Sequence, residues 1–77
     1  MPEYVNGKAI KAFVSKDGKR RLHIVARFDG MFQFMEDVQE FDNTKTYWFP
    51  IGQSGLYENV ELAEREARRE VSWLAEL

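Results

Sequence analysis

One stretch of this chain repeats with a helical period, and it comes last. Asn59–Leu77, NVELAEREARREVSWLAEL, places Val60, Ala63, Ala67, Val71 and Leu74 at spacings of 3, 4, 4 and 3. That spacing is a single narrow apolar stripe on a helix. Asn59 suits the N-cap, and Glu61 and Glu64 fall in the first turn, where the helix dipole favours negative charge. Glu61 faces Arg65 and Glu64 faces Arg68 at i,i+4, each pair contributing about 0.2–0.5 kcal/mol. A lone helix cannot bury its own stripe, so the residues before it must supply the surface on which it lies.

Those residues alternate. From Lys8 to Val14, Ile10, Ala12 and Val14 fall on one side and Lys11 and Phe13 on the other, the pattern of a half-buried strand. Asp17-Gly18, within Ser15–Lys19, is a hairpin signal because glycine accepts positive φ. Arg20–Phe28 alternates again, with Leu22, Ile24, Ala26 and Phe28 opposite His23, Val25 and Arg27. Asp29-Gly30 turns the chain into a third strand, Met31–Phe41. Asp42–Lys45 turns it into a fourth, Thr46–Ile51, with Pro50 near its end. Turns at this spacing predict an antiparallel meander.

The second hairpin's register follows from its faces, since a one-residue slip inverts them. A two-residue loop would mix Val25 and Arg27 with Phe32 and Phe34. A three-residue loop, 29–31, pairs Phe28 with Phe32 and Ala26 with Phe34. It gathers Leu22, Ile24, Ala26, Phe28, Phe32, Phe34 and Val38 on one face, with Gly30 left-handed at a bulge. That face is expected to receive the helix, joined by Ile10, Val14, Tyr47, Phe49 and Ile51. The expectation is an α+β domain in two layers: a four-stranded antiparallel meander with one C-terminal helix packed on one face (ββββα). Residues 1–77 form a single domain, with 1–7 a loose lead-in, 8–51 the sheet and 59–76 the helix.

A chain of 77 residues buries only about 60–65% of the surface it exposes when unfolded, so its core is marginal. There are no cysteines, which excludes disulfide staples and thiolate metal sites. Net charge is −2, but it is unevenly spread. Seven basic residues lie between Lys8 and Arg27 against Asp17 alone, and five acidic residues lie between Asp29 and Asp42 with no Lys or Arg. The expectation is a molecule with a basic end and an acidic end. No apolar stretch is long enough to span a membrane, and the first residues lack the pattern of a secretory signal, so a cytoplasmic location is expected.

Catalytic patterns are weak. His23, the sole histidine, would need a carboxylate such as Glu36 or Asp37 and a nucleophile that no nearby Ser or Cys supplies. Gly52-Gln53-Ser54-Gly55 fits neither a nucleophile elbow nor a phosphate loop. Glu36, Asp37, Glu40 and Asp42 lack calcium-loop spacing, and a strand splits neighbours onto opposite faces. No catalytic residue, metal or cofactor is expected.

The expected function is that of a small non-enzymatic protein-interaction or regulatory module, bound to itself as a homodimer or to another protein. Two surfaces are candidates. The open sheet face would show Phe13, Val25, Met31, Met35 and Trp48, with His23, Arg27 and Gln33 among them. The far flank of the helix would show Leu62 and Trp73, with Arg69 one turn before Trp73 and placed for a cation–π contact. The alternative is a nucleic-acid-binding module using Lys16, Lys19, Arg20 and Arg21 at the first hairpin. No membrane partner is expected.

Overall fold

The computed structural model describes residues 3–77, with side chains from Tyr4 onward. Five antiparallel strands follow one another across a single sheet: β1 (Glu3–Tyr4), β2 (Gly7–Val14), β3 (Arg20–Arg27), β4 (Phe32–Asp42) and β5 (Lys45–Gln53). A helix, α1 (Val60–Glu70), and a 3₁₀ segment (Ser72–Glu76) close the chain. The four-stranded meander and the C-terminal helix on one face are as expected. Two residues of the expected lead-in add a short edge strand, Glu3–Tyr4, paired with Lys8 and Gly7. Residues 1–2 of that lead-in lie outside the described residues.

The core lies between α1 and the two inner strands β3 and β4. Leu22, Ile24 and Phe34 meet Ala63, Ala67, Val71 and Leu74, with Phe13, Phe32, Tyr57, Val60 and Trp73 packed around them. The two alanines set the geometry: a stripe of small side chains brings the helix close to the large residues of the sheet. At the helix start the Asn59 side chain accepts from the Leu62 amide at 2.9 Å, the cap read from the sequence. The connector before it is stitched to β4. Phe32 and Tyr57 exchange two backbone hydrogen bonds of 2.8 Å, and the Tyr57 ring stacks on Phe34.

The first hairpin inverts the expected faces of β2. Ser15 N donates to Arg20 O at 2.9 Å, closing a tip of Lys16–Lys19. The Asp17 carboxylate holds that tip by accepting from the Ser15 hydroxyl and the Lys19 amide. This tip has an even number of residues, so Phe13 pairs with Leu22 and Val14 with Arg21. Phe13 therefore faces the helix, while Val14 is exposed on the opposite side. Ile10 is the extra residue of a bulge between Ala9 and Lys11 and is also exposed. Beyond the bulge β2 and β3 approach closely: a Cβ at Gly7 would stand 2.5 Å from the Ala26 carbonyl oxygen.

At the second hairpin the faces are as expected but the loop lies one residue earlier. Arg27 N donates to Met31 O, enclosing Phe28-Asp29-Gly30, with Gly30 left-handed at φ 88°. Ala26 pairs with Phe32 and Ile24 with Phe34. Phe28, expected on the core face, sits in the loop, 70% exposed. Asp29 fixes this choice. Its carboxylate grips the Arg27 guanidinium at 2.7–3.1 Å and accepts from the Met31 amide at 3.0 Å.

Two further expectations are corrected. The helix does not run to 76. It stops at Glu70, and Val71 is extended at φ −106°, ψ 98° before the 3₁₀ segment begins. β-branched Val71 and then Ser72 hold the helix weakly, and the break lets Trp73 turn onto the sheet. Nor do Tyr47, Phe49 and Ile51 join the core: α1 packs on β3 and β4 and leaves β5 bare.

This division of the sheet predicts unequal costs of truncation. Leu22→Ala should lower stability by about 2–5 kcal/mol, and Ile51→Ser on bare β5 by less than about 0.5 kcal/mol. Urea unfolding of the two variants measures both; equal losses would contradict the burial pattern.

Candidate functional site

The sheet face away from the helix is not the open apolar patch that alternation suggested. A chain of polar contacts runs across it. The Tyr4 hydroxyl and His23 Nδ1 are hydrogen-bonded at 2.7 Å. Arg21 donates twice to Asp37 Oδ2, at 3.1 and 2.7 Å, and lies over the Trp48 ring at 4.4 Å. Arg27 reaches Gln33 Oε1 at 3.2 Å. His23 is 2% exposed, and Gln33 and Asp37 are buried beside it. Among the described residues, no buried side-chain nitrogen or oxygen lacks a partner.

The residues expected on this face therefore part company. Val25 is fully buried, between Ala9 and Gln33 on the neighbouring strands, and offers nothing to a partner. Phe13 is on the other side, against the core and under the Arg68 guanidinium at 5.4 Å. Met31, Met35 and Trp48 are half-buried, Trp48 beneath Arg21. His23 pairs across strands with Ala12 and Met35, and its hydrogen bond goes to Tyr4, not to a carboxylate. Burial, and then the nearby Arg21 charge, push its pKa below the ordinary imidazole value, with Asp37 opposing them. Burial raises the Tyr4 hydroxyl.

The basic hairpin is also divided. Arg20 and Arg21 point to opposite faces, as neighbours on a strand must. Arg20 pairs with Glu36 at 3.2 Å on the helix side, and Arg21 with Asp37 on the other. Lys16 and Lys19 remain exposed at the tip. The basic and acidic regions are not opposite ends of the molecule. Gln39 N donates to Lys19 O at 2.8 Å, and β4 runs on to Asp42, so both hairpin tips leave the same end of the sheet.

On the helix side, Trp73 is half-buried. Its Nε1 donates to Glu36 Oε2 at 2.9 Å, the oxygen that also takes Arg20. Because the helix ends before it, Trp73 does not project from a helix flank, and Arg69 pairs with Glu66 at 2.6 Å instead of lying over it. Leu62 is half-buried on α1. Between Trp73 and the first hairpin tip lies a groove of about 380 Å³, lined by Ser15, Lys16, Asp17, Arg20, Ser72 and Glu76.

Beyond Trp73 the sheet is uncovered. Phe49, 51% exposed, pairs with Val38, and Tyr47, 43% exposed, pairs with Glu40, both on the helix side. Ile51 is the extra residue of a bulge beside Pro50 and is exposed too. Bulge and proline blunt this outer strand for backbone pairing. The sequence pattern places these apolar residues in the core, and the structure does not. Width was the available signal: one helix, about 10–12 Å across, cannot roof four strands spaced at about 4.8 Å.

Among the described residues, no three His, Asp or Glu side chains converge as metal ligands, and no helix is long and apolar enough to cross a membrane. Comparison with known proteins gives no match to a family model, a characterised protein or a solved structure.

The His23 contact carries a pH prediction. Folded His23 takes a proton less readily than unfolded His23. Its contribution is therefore constant above pH of about 6.5. Stability is lost as pH falls below that value, until the folded pKa is passed. Urea unfolding at neutral and mildly acidic pH should show this loss in the parent chain and a smaller one in His23→Gln. Identical pH slopes in the two would refute it.

Proposed function

We propose that this chain is a small non-enzymatic protein-interaction module whose contact surface is the helix-side ledge of the β4–β5 hairpin. The observation that carries the reading is the side-by-side exposure of Phe49 and Tyr47 on an outer strand, with Val38 beside them. Large aromatic residues brought together on a surface mark contact sites, and aromatics dominate the energy of such contacts. Trp73 lies on the same side of the sheet, its Nε1 bonded to Glu36, two residues before Val38 on β4. The partner is a second copy or another protein. The pairing of Arg20 with Glu36 and Arg21 with Asp37 weighs against a nucleic-acid reading, since it leaves the first hairpin with Lys16 and Lys19.

Tyr47→Ser/Phe49→Ser tests this. A photo-crosslinker placed at Lys45, on the same face as Tyr47 and Phe49, should trap a discrete complex in cells. The double variant should remain folded by circular dichroism and lose that complex, with affinity reduced at least about tenfold. An undiminished complex would overturn the proposal.

A further inference from the structure

We propose that β1 is a strap across the sheet face away from the helix, latched to His23 by Tyr4 and released when His23 takes a proton. This concerns the face opposite the ledge and is independent of what binds there.

The strap is held at few points. β1 has two residues, and its register covers only Gly7 and Lys8, at one end of β2. Val5, in the turn between the two strands, is fully exposed. Neither Tyr4 nor Val5 belongs to the core beneath the helix. Tyr4 supplies the side-chain anchor: its hydroxyl is 2.7 Å from His23 Nδ1, and its ring stands edge-on to the imidazole at 6.1 Å. A short edge element with so little burial lies at the low-stability end of a fold and opens without unfolding the rest.

The latch is titratable. His23 is 2% exposed, and Tyr4 is part of what buries it. The charged groups around it do not welcome a proton. Arg21, two residues away on β3, repels an imidazolium. Asp37 on β4 attracts one, but its carboxylate is already matched by two hydrogen bonds from Arg21. Directly opposite His23, Ala12 on β2 and Met35 on β4 are uncharged. On β1, burial raises the Tyr4 hydroxyl, which keeps it neutral. The chain's amino group adds a lesser repulsion. Burial is the largest cause that holds His23 below the ordinary imidazole value.

Linkage then fixes the direction. Protonation favours the state in which the ring reaches water. For a ring buried in part by Tyr4, that is the state with the strap off. Opening begins below a pH of about 6.5 and levels off once the closed form is protonated too. The same coupling runs in reverse: removing the strap raises the His23 pKa toward its ordinary value. The opened chain presents an imidazolium to solvent and leaves β2 without a neighbour on its outer side. Its surface changes in mild acid while the seat of the helix does not.

The experiment follows valine-methyl, tyrosine-ring and histidine-ring NMR signals from neutral pH to the acid end of the His23 titration. Val5 reports the strap, and Val71 reports the core. In the parent chain the Val5 signals should shift with the His23 midpoint, and the through-space contacts between the Tyr4 and His23 rings should be lost. Val71 should stay fixed. In His23→Gln, which takes no proton, the Val5 shift should be lost. In Tyr4→Ala the His23 midpoint should rise toward the ordinary imidazole value. Ring contacts that survive protonation of His23 overturn the inference, as does an undiminished Val5 shift in His23→Gln. So does an unchanged midpoint in Tyr4→Ala, or a Val71 signal that moves together with Val5, since the chain then unfolds as one. If His23→Gln fails to fold, the ring contacts in the parent and the midpoint in Tyr4→Ala decide.

Discussion

The seat of Ala63 and Ala67 on Leu22, Ile24 and Phe34 is the contact on which the rest of this molecule depends. A helix with so small a stripe can come close to the sheet, and all of these side chains are buried. The same closeness makes the covered area narrow. A wider stripe would reach β5; this one stops at β4. The core and the bare ledge are therefore one fact seen from two sides. Tyr47 and Phe49 are accordingly left outside the core, as are Phe28 and Phe41.

The two sheet faces use different physics. The helix face excludes water with hydrocarbon. The opposite face has no second layer, yet His23, Gln33 and Asp37 are buried there. They are covered by side chains of the same sheet: Tyr4 from the edge, Arg21 spread over Trp48, and Arg27 across Gln33. Burying polar groups is costly unless each is hydrogen-bonded, and these are. That face has spent much of its hydrogen-bonding capacity internally, with Val14 and Phe41 still exposed on it, while Tyr47 and Phe49 are exposed together on the helix side.

Much of the architecture was legible in the sequence. The period of Val60–Ala67, the Asn59 cap and the alternation of β3 placed the helix and the inner strands, because each depends on neighbours a few residues away. Alternation gives the faces of β3 and β4 even though the loop lies one residue earlier than it suggests. Moving the loop from 29–31 to 28–30 shifts the pairing by two positions and so preserves parity. The first hairpin had no such protection. Whether Phe13 or Val14 faces the core turns on one residue of tip length, decided by Asp17 folding over its own turn. The end of the helix and the seat of Trp73 depend on Glu36, distant in sequence, and no periodicity announces that bond. The Arg21–Asp37 pair could have been read from the strand register once the second hairpin was fixed; Tyr4–His23 could not.

The central claim is that the ledge beside Trp73, and not the opposite face, is where this chain meets its partner. Amide and indole NMR signals followed over a range of protein concentration test it most directly, since the two tryptophans report on the two faces. The account predicts that the Trp73 indole and the amides of Tyr47 and Phe49 shift as concentration rises, while the Trp48 indole and the Met35 amide stay fixed. Shifts confined to Trp48, Met31 and Met35 would contradict it.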